Sequence, residues 1–241
     1  MKAMILAAGL GTRLHPMTNN TPKALIKIND KTLLGIAIEK LIYYDFNEIV
    51  INVHHLADQI VEFVEQSNFD AKISISQERD ELLDTGGGLK NAERFLTGNE
   101  PFLLHNVDIV SNLNLRSLFE FHLNSDAIVT LVVRKRKSNR YFLFNGDNIL
   151  RGWKNERTER EILINDEKPL TKFAFSGIHI IDPKIFTLMP NDKVFSMIEF
   201  YLNIMNSNII NTYIDNESFW MDVGNPESLK IAEENFDKFL L

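Results

Sequence analysis

Apolar and polar positions along the chain fall into two regimes. Residues 3–7 are a continuous apolar run ending in a Gly-rich turn, the pattern of a strand buried on both faces. Leu33, Leu34, Ala37, Ile38, Leu41 and Ile42 recur at helical spacing behind Thr32, a side chain suited to cap a first turn. The same reading predicts strands at 48–53, 72–76, 102–105 and 128–133, and helices at 56–65, 88–95 and 115–122. Such alternation is that of an α/β protein, with a largely parallel sheet covered by helices on both faces.

The pattern changes after Arg134. Apolar stretches at 141–144, 149–153, 161–164 and 173–181 are separated by polar turns, among them the hairpin signal Asn145-Gly146. They read as an antiparallel insertion over about 134–181. Helices are expected around 194–206 and 226–240. The second has Asn225 as its cap, Pro226 in its first turn, and Leu229, Ala232, Phe236 and Phe239 on one face. No Pro-, Gly- or Ser-rich linker and no internal repeat divides the chain, so residues 1–241 are read as one domain.

Composition narrows the classes. The 241 residues are 44% hydrophobic, enough for a sizeable core, and carry a net charge of −7, which argues against a dedicated nucleic-acid binder. With no cysteine there is no disulfide scaffold, Cys-type zinc site or thiol nucleophile. No apolar run approaches the roughly 18 residues of a membrane span. The apolar N-terminus breaks at Gly9-Leu10-Gly11-Thr12-Arg13, too early for a signal peptide, and a cytoplasmic location is expected.

The chemistry concentrates in the loop after the first strand. Gly9 and Gly11 let backbone N–H groups converge on an anion, while Arg13 adds a planar cation and Lys23 a compact one. Taken alone, Gly-x-Gly describes an ordinary tight turn equally well. No Gly-Lys-Ser/Thr follows, and the third glycine of a dinucleotide fingerprint is replaced by Leu14.

The longer spacing Gly9-x-Gly11-Thr12-Arg13-x-x-Pro16-x-Thr18-x-x-x-Pro22-Lys23, eight residues over fifteen positions, resembles the signature of the sugar-1-phosphate nucleotidyltransferases. Further stretches resemble the same family: residues 48–54, Thr85-Gly86-Gly87-Gly88, Pro101-Phe102-Leu103-Leu104, Phe175-Ser176-Gly177-Ile178, and Trp220-x-Asp222-x-Gly224-x-Pro226-Glu227. The resemblance implies a Rossmann-like, mixed and mostly parallel sheet. It also implies attack of a sugar 1-phosphate on the α-phosphorus of an NTP, giving a nucleotide sugar and pyrophosphate.

By that resemblance Ala8, Gly9, Gly11, Thr12, Arg13 and Lys23 hold the triphosphate, and Arg13, Lys23 and Asp108 are the catalytic residues. Gln77, Gly86, Gly87 and Asn106 complete the nucleotide site. Gln77 is an amide able to read a base edge, and consecutive glycines permit close backbone approach. Asp108 and Asp222 are the expected Mg²⁺ ligands; Asn106-Val107-Asp108 stands where the family usually has Gly-Asp. Ser176 and Gly177 are placed near the sugar, and Lys168 of Glu167-Lys168-Pro169 is a candidate for the sugar phosphate.

The chain resembles in particular the compact group that includes N-acetylmuramate α-1-phosphate uridylyltransferase, and this resemblance implies UTP, N-acetylmuramic acid 1-phosphate or a related hexose 1-phosphate, and cell-wall metabolism. Mannose-1-phosphate guanylyltransferases share most of these features. The same residues are compatible with a phosphocholine cytidylyltransferase and with a non-catalytic nucleotide-binding relative. His54-His55 reads as structural, because adjacent strand residues face opposite ways. The run 134–137 with Arg140 reads as a solvated edge or a guide for an anionic substrate. Tyr141, Phe142, Phe144 and Trp153 are expected to pack the insertion.

Overall fold

The first apolar run forms β1 (Lys2–Leu6), whose side chains alternate between two cores. Ala3 and Ile5 join one face of the sheet and Met4 the other. In this computed structural model, which describes residues 1–164 and 169–240, β1 lies between the parallel strands β4 (Glu48–Val53) and β6 (Phe102–Asn106). Strand β5 (Lys72–Gln77) extends the parallel part beyond β4. A small hairpin, β2 (Lys27–Ile28) and β3 (Lys31–Thr32), leads into helix α1 (Leu33–Tyr43), whose first turn is capped as expected by Thr32 accepting from the Gly35 amide at 3.0 Å. Helix α2 (Ala57–Gln66) joins β4 to β5.

Beyond β6 come β7 (Ile109–Ser111), helix α5 (Leu115–Leu123) and β8 (Val129–Arg134). The insertion is an antiparallel meander of β9 (Arg140–Phe144), β10 (Leu150–Asn155) and β11 (Arg160–Leu163). The long β12 (Thr171–Ile181) pairs with β9 at its start and with β6 and β8 at its end, joining the meander to the parallel strands in one ten-stranded sheet. Tyr141, Phe142, Phe144 and Trp153 are buried there, as their pattern requires. Strand β13 (Ile210–Ile214) runs parallel to β8, and β14 (Trp220–Asp222) forms a separate ribbon with β7.

Three helical boundaries differ from expectation. The helix expected at 88–95 is two: α3 (Asp84–Asn91) already contains the three glycines, and α4 (Glu93–Leu96) follows. Tertiary contacts override the poor helix propensity of Gly86 and Gly87, since both amides lie against the Phe195 carbonyl. Helix α6 (Met197–Ile204) starts three residues late because Ser196 caps it. Helix α7 (Pro226–Glu234) has the expected Asn225 cap, in a capping box with Ser228, but stops early. A short 3₁₀ turn then brings Phe239 back to stack on Phe219 at 5.5 Å. Among the described residues no helix is long and apolar enough to cross a membrane.

Three histidines are buried and held neutral by burial: His105 to a pKa of about 3, His122 to about 4 and His179 to about 3. Each has one ring nitrogen partnered, His179 with the Tyr201 hydroxyl at 2.7 Å and His122 with Thr130 at 2.8 Å. Folded pKa values below the ordinary 6.5 make these groups stabilising above that pH. Their contribution is lost as pH falls from about 6.5 toward 3–4. A His179→Gln variant should therefore lose stability between pH 7 and pH 5 by about 2 kcal/mol less than wild type, at about 1.4 kcal/mol per unit. Urea unfolding at the two pH values measures this, and equal losses would show that His179 does not stay neutral in the fold.

Candidate functional site

Parallel pairing brings the ends of β1, β4, β5 and β6 level at one edge of the sheet. Leu6 is level with Asn52 and Asn106, and Gln77 with Val53. The loop leaving β1 is tied down at once, because the Ala7 amide lies against both the Asn52 side-chain oxygen (2.9 Å) and its carbonyl (3.2 Å). Gly11 turns the loop with φ +66°, and its carbonyl accepts from the Thr18 hydroxyl at 2.9 Å. A Cβ there would press on Lys23 and Thr18 at 3.0 Å, so glycine answers both the turn and the close approach. Thr12–Leu14 form a 3₁₀ turn that buries Leu14 and leaves Arg13 in solvent. Gly9 is exposed, with open space where a side chain would stand.

The two carboxylates are positioned by backbone. Asp108 lies between β6 and β7, and β7 pairs with β14 so that Ile109 is opposite Asp222. The Val223 amide donates to the Asp108 carbonyl at 2.8 Å, locking both residues in one register. Lys23 forms a short ion pair with the Asp108 carboxylate, and Arg13 approaches Asp222 at 4.0 Å. Gly224 makes that approach possible, since a Cβ would stand 2.5 Å from the Arg13 guanidinium and 2.6 Å from the Asp222 carboxylate. Burial and then the charge of Asp108 push the Asp222 pKa up, against Lys23, Arg13 and Arg136. Asp222 Oδ1 is buried and accepts no hydrogen bond.

Asp108, but not Asp222, lines a cavity of about 230 Å³, together with Ala8, Gly9, Lys23 and Asn106 on one side and Asn52, Glu78 and Thr85 on another. Five of the expected residues therefore share one space. Gln77 does not: it lines a neighbouring cavity of about 390 Å³ with Gly87, Lys90 and Asn91. The amides of Gly86 and Gly87 lie on the Phe195 carbonyl at 2.9 and 3.2 Å, and both glycines are buried.

The residue at the cavity wall is Glu78, which sequence reasoning missed. Its carboxylate accepts from the Asn52 side-chain amide and from the Leu83 backbone at 2.8 Å, and burial pushes its pKa up. The available signal was strand alternation: Gln77 and Glu78 are adjacent, so only the position of the strand end decides which side each takes.

Ser176 and Gly177 form a bulge in β12, where its register against β8 slips between Phe175 and His179. Gly177 takes φ +77°, and a Cβ would meet Ile109 at 2.7 Å and the Asn106 amide at 3.1 Å. The bulge therefore lies against the ribbon that carries the carboxylates. Ser176 itself is buried, and its carbonyl accepts from the Trp220 indole N–H at 2.8 Å. Lys168 and Glu167 lie outside the described residues.

The basic run is not simply a solvated edge. Arg134 is buried, donates to the Ser218 carbonyl at 2.8 Å and pairs with Asp215 at 4.0 Å. Arg136 stands 4.6 Å from the Trp220 ring centre and donates to the Phe175 carbonyl at 2.9 Å. Lys135 and Lys137, the alternate members, are exposed to solvent, as period-two alternation demands, and so is Arg140. His54 contacts the Glu78 carbonyl at 2.8 Å while its neighbour His55 is exposed, as expected of a structural pair.

Comparison with known proteins agrees with this architecture. The chain is 29% identical to N-acetylmuramate alpha-1-phosphate uridylyltransferase of Caulobacter vibrioides, covering 96% of this chain and 95% of that one. It is 30% identical to mannose-1-phosphate guanyltransferase 2 of Candida glabrata, covering 94% of this chain but 62% of that longer protein. The inositol-1-phosphate CTP transferase structure from T. maritima superposes with a TM-score of 0.79 over 99% of this chain and 95% of that one; at 16% identity this likeness speaks for the fold alone. Residues 2–238 match the family model described as nucleotidyl transferase, and the chain belongs to that family.

Proposed function

We propose that this protein transfers a nucleoside monophosphate from an NTP to a sugar 1-phosphate, with Mg²⁺ as cofactor, and that UTP with N-acetylmuramic acid 1-phosphate or a related hexose 1-phosphate is the leading pair. One observation carries the reading: Asp108, paired with Lys23, lines the cavity into which Gly9 opens, and the β7–β14 register holds Asp222, with Arg13 near it, next to Asp108. The near-complete mutual coverage with the Caulobacter uridylyltransferase supports UTP and an N-acetylmuramic acid 1-phosphate acceptor.

The residues present fit a hard divalent cation. Asp222 Oδ1 is buried without a hydrogen-bond donor, and among the described residues no third His, Cys, Asp or Glu groups with Asp108 and Asp222. Two carboxylates leave room for phosphate oxygens and water, which suits Mg²⁺. When bound, the ion supplies charge neutralisation at the reacting phosphates.

The protein's own part is positional. The β1 loop offers N–H groups and an exposed glycine to the triphosphate, while Arg13 and Lys23 offset charge as the pyrophosphate leaves. An oxygen of the sugar phosphate attacks the α-phosphorus and the bond to the β-phosphate oxygen breaks. That nucleophile is already ionised, so no general base is needed.

A second reading, GTP as donor, rests on Glu78. Its two oxygens already accept from Asn52 and Leu83, and a carboxylate at the wall favours a base edge rich in N–H donors, as guanine has. The likeness to the Candida guanyltransferase points the same way. Pyrophosphate release should be screened with UTP, GTP, CTP and dTTP against sugar 1-phosphates in the presence of Mg²⁺. UTP turnover with N-acetylmuramic acid 1-phosphate is expected; preference for GTP with mannose 1-phosphate would establish the second reading. Tight NTP binding with no pyrophosphate from any pair would leave a non-catalytic binder. Glu78→Gln should shift the ratio of kcat/KM between nucleotides by about tenfold, the worth of one hydrogen bond to a charged group. An unchanged ratio would remove Glu78 from base reading.

A further inference from the structure

We propose that Arg136, seated on Trp220 of the strand that carries Asp222, binds the phosphate of the acceptor. This inference rests on the sugar 1-phosphate reading above and adds to it the group that holds the attacking substrate.

The placement comes from the β7–β14 ribbon. Trp220 and Asp222 are two residues apart on β14, so their side chains leave the ribbon on the same face. Arg136 lies over the Trp220 ring, and the same indole donates to Ser176, the residue before the Gly177 bulge. The Phe175 carbonyl fixes Arg136 Nη2 at 2.9 Å. The guanidinium is thus clamped in plane between the bulge and the strand that ends in Asp222. The charges of Arg136 and Asp222 act on each other, as expected of neighbours across a partly buried site.

Charge balance supplies the reason. Lys23 is paired with Asp108 and Arg13 lies beside Asp222, so these four groups sum to zero. An NTP and a phosphate monoester bring about six negative charges between them, of which the monoester contributes up to about two. A divalent ion offsets only part of this. The next cation toward the bulge is Arg136, because its neighbour Arg134 is buried on Ser218 and Asp215. Arg136 is half-buried where Arg134 is buried, and it lines an open groove with Arg134, Lys135, Asn216 and Trp220. Its Nη1 has only a long 3.4 Å contact with the Lys137 carbonyl, which leaves donor capacity on a planar fork matched to phosphate.

Steady-state kinetics of wild type, Arg136→Gln and Arg136→Lys test this with the preferred NTP, using glucose 1-phosphate, mannose 1-phosphate and N-acetylmuramic acid 1-phosphate as acceptors. Arg136→Gln should raise the acceptor KM about 10- to 100-fold, the effect of losing a charge-assisted hydrogen bond, with the NTP KM unchanged within about twofold. Arg136→Lys should recover part of the acceptor KM with the NTP KM still unchanged, a split that a purely structural Trp220 clamp would not produce. The rise should be similar for every acceptor that turns over. A rise confined to the carboxylate-bearing N-acetylmuramic acid 1-phosphate would overturn the phosphate assignment, as would an unchanged acceptor KM or an equal rise for NTP. If wild type turns over no pair, the catalytic reading fails on its own. Calorimetric titration of the three sugar phosphates into wild type and Arg136→Gln then decides the inference: weaker binding by the variant supports it, and equal or absent binding overturns it.

Discussion

Asp108→Asn is expected to lower Mg²⁺-dependent pyrophosphate release by about 10³-fold or more, the scale of removing a preorganised charged group from a transition state. The substitution is nearly isosteric, and the Asp108 carbonyl keeps its bond from Val223, so the β7–β14 register should persist. What changes is charge. Lys23 loses its ion-pair partner, and Asp222 remains as the lone carboxylate of the pair. Removing one member of a partly buried ion pair carries a stability cost, so circular dichroism and thermal unfolding must accompany the assay. A native spectrum with a Tm lowered by only a few degrees, together with lost turnover, locates the defect in chemistry. Wild-type turnover at every Mg²⁺ concentration would remove Asp108 from the metal site.

Gly87→Ala is expected to destabilise the protein by about 3 kcal/mol, at the upper end of the usual cost of overpacking a core. In a chain of this length that lowers Tm by roughly 6–12 °C. The added Cβ would fall onto the Lys193 carbonyl oxygen, far inside van der Waals contact, and within 2.9 Å of Leu83. Because the obstacle is backbone, relief requires moving the 193–195 segment and the bonds that Gly86 and Gly87 make to Phe195. Gly9→Ala is the contrast. Nothing lies within 4 Å of its Cβ position, so stability should change by no more than about 0.5 kcal/mol. Its effect should appear in the NTP KM. Thermal melts of both variants, with nucleotide titrations, separate a glycine that serves packing from one that leaves space for a ligand. A Gly87→Ala protein as stable as wild type, but weakened in NTP binding, would return the triple glycine to a binding role.

That contrast shows where sequence reasoning stops. A glycine tract at a helix start signals close approach, but not which surface approaches. Here Phe195 and Lys193, more than a hundred positions later, occupy the space on one side, and Asn52 and Glu78 crowd Gly88 on the other. Likewise Gln77 and Glu78 are equally available until the end of β5 is folded, which leaves Gln77 on one cavity only and Glu78 on the boundary between the two. The run 134–137 looks uniformly solvated because charge pattern does not reveal that Trp220 covers Arg136.

Local interactions settle quickly in the amino-acid order. Buried strands read as apolar runs, Thr32 and Asn225 cap the helices that follow them, and the spacing from Gly9 to Lys23 encodes a loop whose contacts span few residues. These depend on propensity, period and short-range hydrogen bonds, all of which a linear chain carries. The approach of Asp222 to Asp108, the seat of Arg136, and the positions of Gln77 and Glu78 at the two cavities depend on register between strands remote in sequence. A shift of one residue in β14 would turn Asp222 to the opposite face, and no local preference forbids it. The Val223–Asp108 hydrogen bond and the packing of both sheet faces forbid it, so only the folded protein determines the geometry of the site.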